Sequence, residues 1–290
     1  MNRRIVRAAS RAALGIAIAL VAVAVFGSCR FAARRDHVYD VALAAHPIPT
    51  DDASIARGEH LARTLGGCTH CHGDDLGGVV MASDAIMHLV APNLTRGEGS
   101  VTRDFGTEDW QRAIEHGVHR DGRPLLVMPS EVLRNLSPTD VAAIIAYGRS
   151  VPPVDRRLSP ASATSLGTIV LGLTSAPVFG AERIDHDEHR TRVESAPEPT
   201  KTYGTYIANM CRGCHGPELR GGIVIRPGAP PSGDISPRAM AAWTYTDFEE
   251  ALRRGKGRNG RTLDPAMPWD ATRGLSDEEM RALWLGLRQE

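Results

Sequence analysis

The stretch "LGGCTHCHGDD", Leu65 to Asp75, decides how this chain is to be read, and "NMCRGCHGPEL", Asn209 to Leu219, repeats its central pattern. Each contains Cys-x-x-Cys-His. Placing one motif over the other exposes a duplication extending well beyond it. Upstream, "ARGEHLARTLGGCTHCHGDDLGG" answers to "TYGTYIANMCRGCHGPELRGG", with Gly58 opposite Gly204 and Leu61 opposite Ile207. Downstream, "EDWQRAIEHGVHRDGRPL" answers to "TDFEEALRRGKGRNGRTL". "VMPSEVLRNLSPTDVAAIIAYGRS" then answers to "AMPWDATRGLSDEEMRALWLGLRQ". Several matches in one order mean two copies of one domain.

Three chemistries use a Cys-x-x-Cys pair. A structural zinc takes four ligands, typically two such pairs brought together, and the repeat puts these pairs in separate domains. A thioredoxin-like redox pair belongs in a βαβ setting, and no alternating strand pattern is present here. It also gives the trailing histidine nothing to do. The third reading uses every residue: two thiols add across the vinyl groups of one haem, and the adjacent histidine ligates the iron. Cys68, Cys71 and His72 would hold one haem c, and Cys211, Cys214 and His215 a second.

The repeat also nominates a ligand for the other face of each iron. Met210 abuts Cys211, Met280 falls on the last helix, and His116 and His119 stand opposite Arg254 and Gly257. Met81, Met87, His88 and Met240 have no matching partner of their own type. Only Met128 and Met267 coincide, each directly before a proline. A thioether opposite imidazole raises the potential and closes the iron. The alternative is two core methionines.

The surroundings read as helical. Asp51 or Asp52 caps a helix running toward the first cysteine, and Thr107 caps one ending at Gly117. Ser137 with Pro138, and Ser276 with Glu279, open the last helix of each copy. The chain has 34 basic and 34 acidic residues, which gives no electrostatic case for nucleic acid. Of five cysteines, four belong to the motifs and the fifth is Cys29.

Residues 1–29 read as an export signal or membrane anchor: arginines precede an uncharged run of 18 residues, Ala12 to Cys29. Cleavage with lipid on Cys29, an uncleaved anchor and ordinary cleavage all fit. Each puts the bulk of the chain on the periplasmic side of the cytoplasmic membrane. The domains are expected at residues 50–152 and 201–290, with a linker over 153–200. Its apolar piece, Leu166 to Phe179, is expected to pack as a short helix between the domains, and Asp185 to His189 as a solvated turn.

Helix, Cys-x-x-Cys-His, the turn "APNLT", a Met-Pro loop and a final helix resemble class I cytochrome c. The tandem arrangement is similar to bacterial dihaem c-type cytochromes related to the cytochrome subunits of membrane-bound alcohol and gluconate dehydrogenases. The resemblance implies an all-α fold of two helical domains, each wrapped around one covalent haem. It also implies that the Pro92 carbonyl orients the His72 ring. In the second copy, "APPSGDIS" has Gly233 where Pro92 would fall, so Pro231 or another carbonyl must serve.

The function expected is electron relay between redox partners: a dehydrogenase, a quinol-oxidising complex or a terminal oxidase. A dihaem peroxidase is the enzymatic alternative, with His88, His116 or His119 beside an open iron. An electron-entry subunit of a dehydrogenase complex is the third reading.

Overall fold

The computed structural model describes residues 3–43, 46–174, 176–187, 196–226 and 228–288. Helix α1 (Arg3–Arg35) is long and apolar enough to cross a membrane, and its apolar side chains are exposed over Leu14 to Phe26. The first copy follows as α2 (Asp52–Arg63), α3 (Cys68–His72), strands β1 (Val79–Ser83) and β2 (Met87–Ala91), and α4 (Thr107–Gln111). It continues through a π turn (Arg112–His116) to α5 (Ser130–Leu133) and α6 (Pro138–Ser150). The linker supplies β3 (Ser162–Ala163), α7 (Ser165–Leu173) and a 3₁₀ turn (Gly180–Arg183). The second copy has α8 (Lys201–His215), α9 (Pro237–Met240), α10 (Tyr245–Arg254), α11 (Trp269–Thr272) and α12 (Asp277–Arg288).

In each copy the first and last helices cross at a glycine. A Cβ on Gly58 would stand 1.9 Å from the Ala143 carbonyl oxygen, and one on Gly204 would stand 1.7 Å from that of Ala282. Only glycine allows backbones so close, which is why these two positions match in the repeat. The helices bury Leu61, Val141 and Ile145 in one copy and Tyr203, Ile207, Met280 and Leu283 in the other, and the two sets join in one apolar core.

The first motif helix is separate from α2, whereas α8 runs unbroken into its motif. The first copy carries Leu65-Gly66-Gly67 here, and Gly67 takes a left-handed φ of 60° that starts a new helix.

Three sequence expectations change. The fold is mostly helical rather than all-α, because β1, β2 and β3 form an antiparallel sheet in that order. The Asp84 carboxylate closes its hairpin by accepting from the Ile86 and Met87 amides. Alternation fails as a signal because β1 is exposed on both faces and bulged between Val80 and Ala82. The cap of α4 is Gly106, one residue before Thr107, and the Asp109 carboxylate accepts from its amide. Finally, α7 packs on α1 rather than between the domains. Of the Asp185 to His189 turn, Glu188 and His189 lie outside the described residues. His186 is half-buried, stacked on His116 and touching Tyr39.

Candidate functional site

Each motif ends on a buried histidine whose ring is held by a carbonyl. His72 Nδ1 lies 2.8 Å from the Pro92 oxygen, and His215 Nδ1 lies 2.7 Å from that of Gly233. A carbonyl only accepts, so Nδ1 carries the hydrogen and Nε2 is left with a free lone pair. Burial pushes both imidazoles below the ordinary histidine range, against the upward pull of the carbonyl. Both rings are therefore neutral donors at neutral pH. The acceptor in the second copy is the residue that aligns with Pro92, so the backbone position carries the contact and the proline ring is dispensable.

The four motif cysteines are free thiols. Burial, aided by Cys71, pushes the Cys68 thiol up to about 11, and burial, aided by Cys214, pushes that of Cys211 up to about 12. Burial also raises Cys71 and Cys214. Thiols held this way are poor thiolates, which does not suit a redox pair. Among the described residues, no group of three or more His, Cys, Asp or Glu could hold a metal ion. Two thiols and one pinned imidazole instead match a group that brings its remaining iron ligands with it. The donor set fits haem.

Met128 and Met267 stand at equivalent places, half-buried against the common core. In both loops the methionine carbonyl accepts from the amide two residues on, Ser130 at 2.9 Å and Trp269 at 2.8 Å. His88 contacts Ser83 across its hairpin at 3.2 Å, and His116 Nδ1 pairs with His186 Nδ1 at 3.0 Å.

The two motifs lie on the seam between the copies. A Cβ on Gly213, inside the second motif, would meet the Val132 side chain of α5 at 2.6 Å. His70, at the matching place in the first motif, has Nδ1 3.6 Å from the Asp270 carboxylate of α11. Each Cys-x-x-Cys turn thus faces the short helix that follows the other copy's methionine.

A buried polar network closes the seam, and sequence reading missed it. Arg57 donates to both oxygens of Asp140, at 3.0 and 3.1 Å, and to Glu279 and Tyr203, each at 3.0 Å. His60 Nε2 lies 2.6 Å from Glu279, and the Tyr206 hydroxyl donates to Asp140 at 2.6 Å. Aligned, His60 matches Tyr206 and Asp140 matches Glu279, so these last two contacts are one contact made twice across a pseudo-twofold axis. Burial lifts the Glu279 carboxyl, but His60, the Ser276 amide and Arg57 more than offset it and hold it down at about 2. Burial pulls the Arg57 guanidinium down, and Asp140 and Tyr203 more than offset that, so it is strongly charged. The available signal was four chemistry-bearing residues at matched repeat positions.

Two family models match the chain. Residues 53–147 match the family described as cytochrome c oxidase, cbb3-type, subunit III, and residues 201–285 match cytochrome c. The chain is 36% identical over 94 residues to the gluconate 2-dehydrogenase cytochrome c subunit of Pantoea cypripedii, covering 28% of this chain and 21% of that protein. It is 31% identical over 150 residues to the fructose dehydrogenase cytochrome subunit of Gluconobacter japonicus, covering 47% and 29%. It is 34% identical over 92 residues to the alcohol dehydrogenase (quinone) cytochrome c subunit of Gluconacetobacter polyoxogenes, covering 28% and 20%. The chain thus spans under a third of the length of each of these relatives.

Proposed function

We propose that this chain, which carries two cytochrome c domains, is a dihaem electron-transfer protein that relays single electrons between membrane-associated redox partners. Its paired cysteines fit two covalently bound haem c groups. Cys68 and Cys71 would hold the first, with His72 Nε2 and Met128 on its iron. Cys211 and Cys214 would hold the second, with His215 Nε2 and Met267. Haem supplies a one-electron store. The chain's own residues do the rest: the Pro92 and Gly233 carbonyls fix the rings, the buried helices exclude water, and the Arg57 network holds the copies together.

The observation that carries relay is the seam, where each attachment turn faces the other copy. Two independent carriers would have no need of this arrangement. Mass spectrometry after acid–acetone extraction should leave two haems on the polypeptide, and a mass with one haem refutes the assignment. An electron photoinjected into one haem should then equilibrate with the other at a rate independent of protein concentration. A concentration-dependent rate overturns relay within the chain.

The names of the relatives favour a role as the electron-entry subunit of a membrane dehydrogenase, with helix α1 as its anchor and the domains on the periplasmic side. Copurification from host membranes with a substrate-oxidising subunit tests this. As a peroxidase the chain would need an open iron, and two methionine-closed irons should turn over hydrogen peroxide no faster than a single-haem cytochrome c.

A further inference from the structure

Helix α7 contains no charged residue, and Leu166, Ile169, Val170 and Leu173 recur at helical spacing along one face. On that face Leu166 is 51% and Leu173 41% exposed, while Gly167, Leu171 and Gly172 are buried. The Gly172 side of the helix rests on α1, where the Leu173 side chain also borders Gly27. A Cβ on Gly172 would stand 1.8 Å from the Gly27 carbonyl oxygen, and Ser28 Oγ lies 3.4 Å from Thr168 Oγ1. The Arg34 guanidinium donates to the Leu171 and Ala176 carbonyls at 2.8 and 2.9 Å, so the C-terminal end of α7 is satisfied from within the chain.

The level of this contact on α1 decides what covers the exposed face. It runs from Gly27 to Arg34, where the uncharged run of α1 gives way to Arg30, Arg34 and Arg35. Just before it, Val23, Val25 and Phe26 are 49%, 55% and 61% exposed. The apolar stripe of α7 is therefore continuous with the apolar surface of a membrane-length helix and sits where the uncharged run of that helix ends. A nine-residue helix is about 13 Å long, too short to cross but suited to lying in the interface. Backbone groups in such a place need partners inside the protein. Besides Arg34 at its C-terminal end, the Thr164 side chain accepts from the Gly167 amide at its N-terminal end.

We propose that α7 is an interfacial membrane helix, its Leu166–Ile169–Val170–Leu173 stripe immersed in the leaflet at which α1 ends. The proposal rests on α1 being a membrane anchor. The consequence is orientational. The Thr164 hydroxyl donates to the Ala85 carbonyl at 2.6 Å, and a Cβ on Gly167 would lie 1.8 Å from that of Ile86, so α7 is fastened to the hairpin turn of the first haem domain. A single transmembrane helix would leave that domain free to swivel, and α7 adds a second point of support.

The test uses the full-length dihaem chain in phosphatidylethanolamine–phosphatidylglycerol vesicles containing a lipid with a diazirine on its acyl chain. After irradiation, lipid adducts are mapped on tryptic peptides. Adducts are expected on α1 and on the peptide that spans Leu166 to Leu173. In the double variant Leu166→Glu, Leu173→Glu the α7 adducts should fall at least tenfold, while the α1 adducts and the two-haem spectrum persist. Adducts on α1 with none on α7 overturn the proposal and leave the anchor standing; the stripe would then face a protein partner. Adducts on neither helix overturn both, and α7 adducts that survive the double variant mark contact without insertion and overturn it as well.

Discussion

At His72 and His215 one hydrogen bond settles which ring nitrogen is available, and it is made by a proline carbonyl in one copy and a glycine carbonyl in the other. The Pro92→Ala variant should therefore keep its haem spectrum and lose only about 0.5–1 kcal/mol of stability, the chain-entropy advantage of the ring. Paired denaturant titration and visible spectra check this, and a changed spectrum would mean that the ring itself matters. At the methionines, Met128→Ala and Met267→Ala should each open one iron to carbon monoxide, lower one potential and halve the weak far-red sulfur-to-iron band of the oxidised protein. If neither variant binds carbon monoxide, both are core methionines. The paired cysteines were legible because covalent attachment demands fixed spacing, whereas His72 and His215 were nominated by adjacency to them and Met128 and Met267 by their match in the repeat. The acceptor for His215 was not, because a backbone carbonyl has no sequence signature.

At the scale of elements, the first and last helix of each copy cross with their backbones in contact. Gly58→Ala and Gly204→Ala should each cost about 1–3 kcal/mol or more, because the new methyl meets backbone that cannot give way. Gly233→Ala is the matched control: its Cβ meets nothing within 4 Å and its carbonyl remains, so stability and the spectrum should be unchanged. Thermal melts followed at the haem absorbance separate the outcomes. The helices could be read from caps and period: Ser137 accepts from the Asp140 amide, and Ser276 and Glu279 cap each other. The hairpin escaped because "VVMAS" shows no alternation, its side chains being exposed whichever way they point.

For the whole molecule, the seam ties stability to pH. The Glu279 carboxyl is held at about 2 in the folded protein against 4.5 when free. Its contribution is complete above pH 4.5 and is lost as pH falls toward 2. The shift sets a ceiling of about 3 kcal/mol on that contribution. Glu279→Gln should flatten the fall in stability between pH 5 and 2 and should weaken the contact between the domains at neutral pH, where Arg57 and His60 lose their charged partner. Small-angle scattering with acid titration reads both effects, and an unchanged slope would show that the seam does not depend on this charge. Tyr206→Phe leaves Asp140 and the Ser137 amide each without the hydroxyl they share, and should cost about 1–3 kcal/mol.

The sequence by itself determined the two copies, the cysteine pairs that fit haem c, and most of the helices, because each depends on neighbours a few positions apart along the chain. The tertiary structure decided the rest. It paired Arg57 with Glu279 across 222 positions and Tyr206 with Asp140 across 66, laid α7 on α1 instead of between the domains, and gave His215 the carbonyl of Gly233. A charged or apolar residue requires a partner once it is buried, but nothing local to it names that partner. The choice is made only when whole helices pack and the unpaired groups on each must be satisfied together.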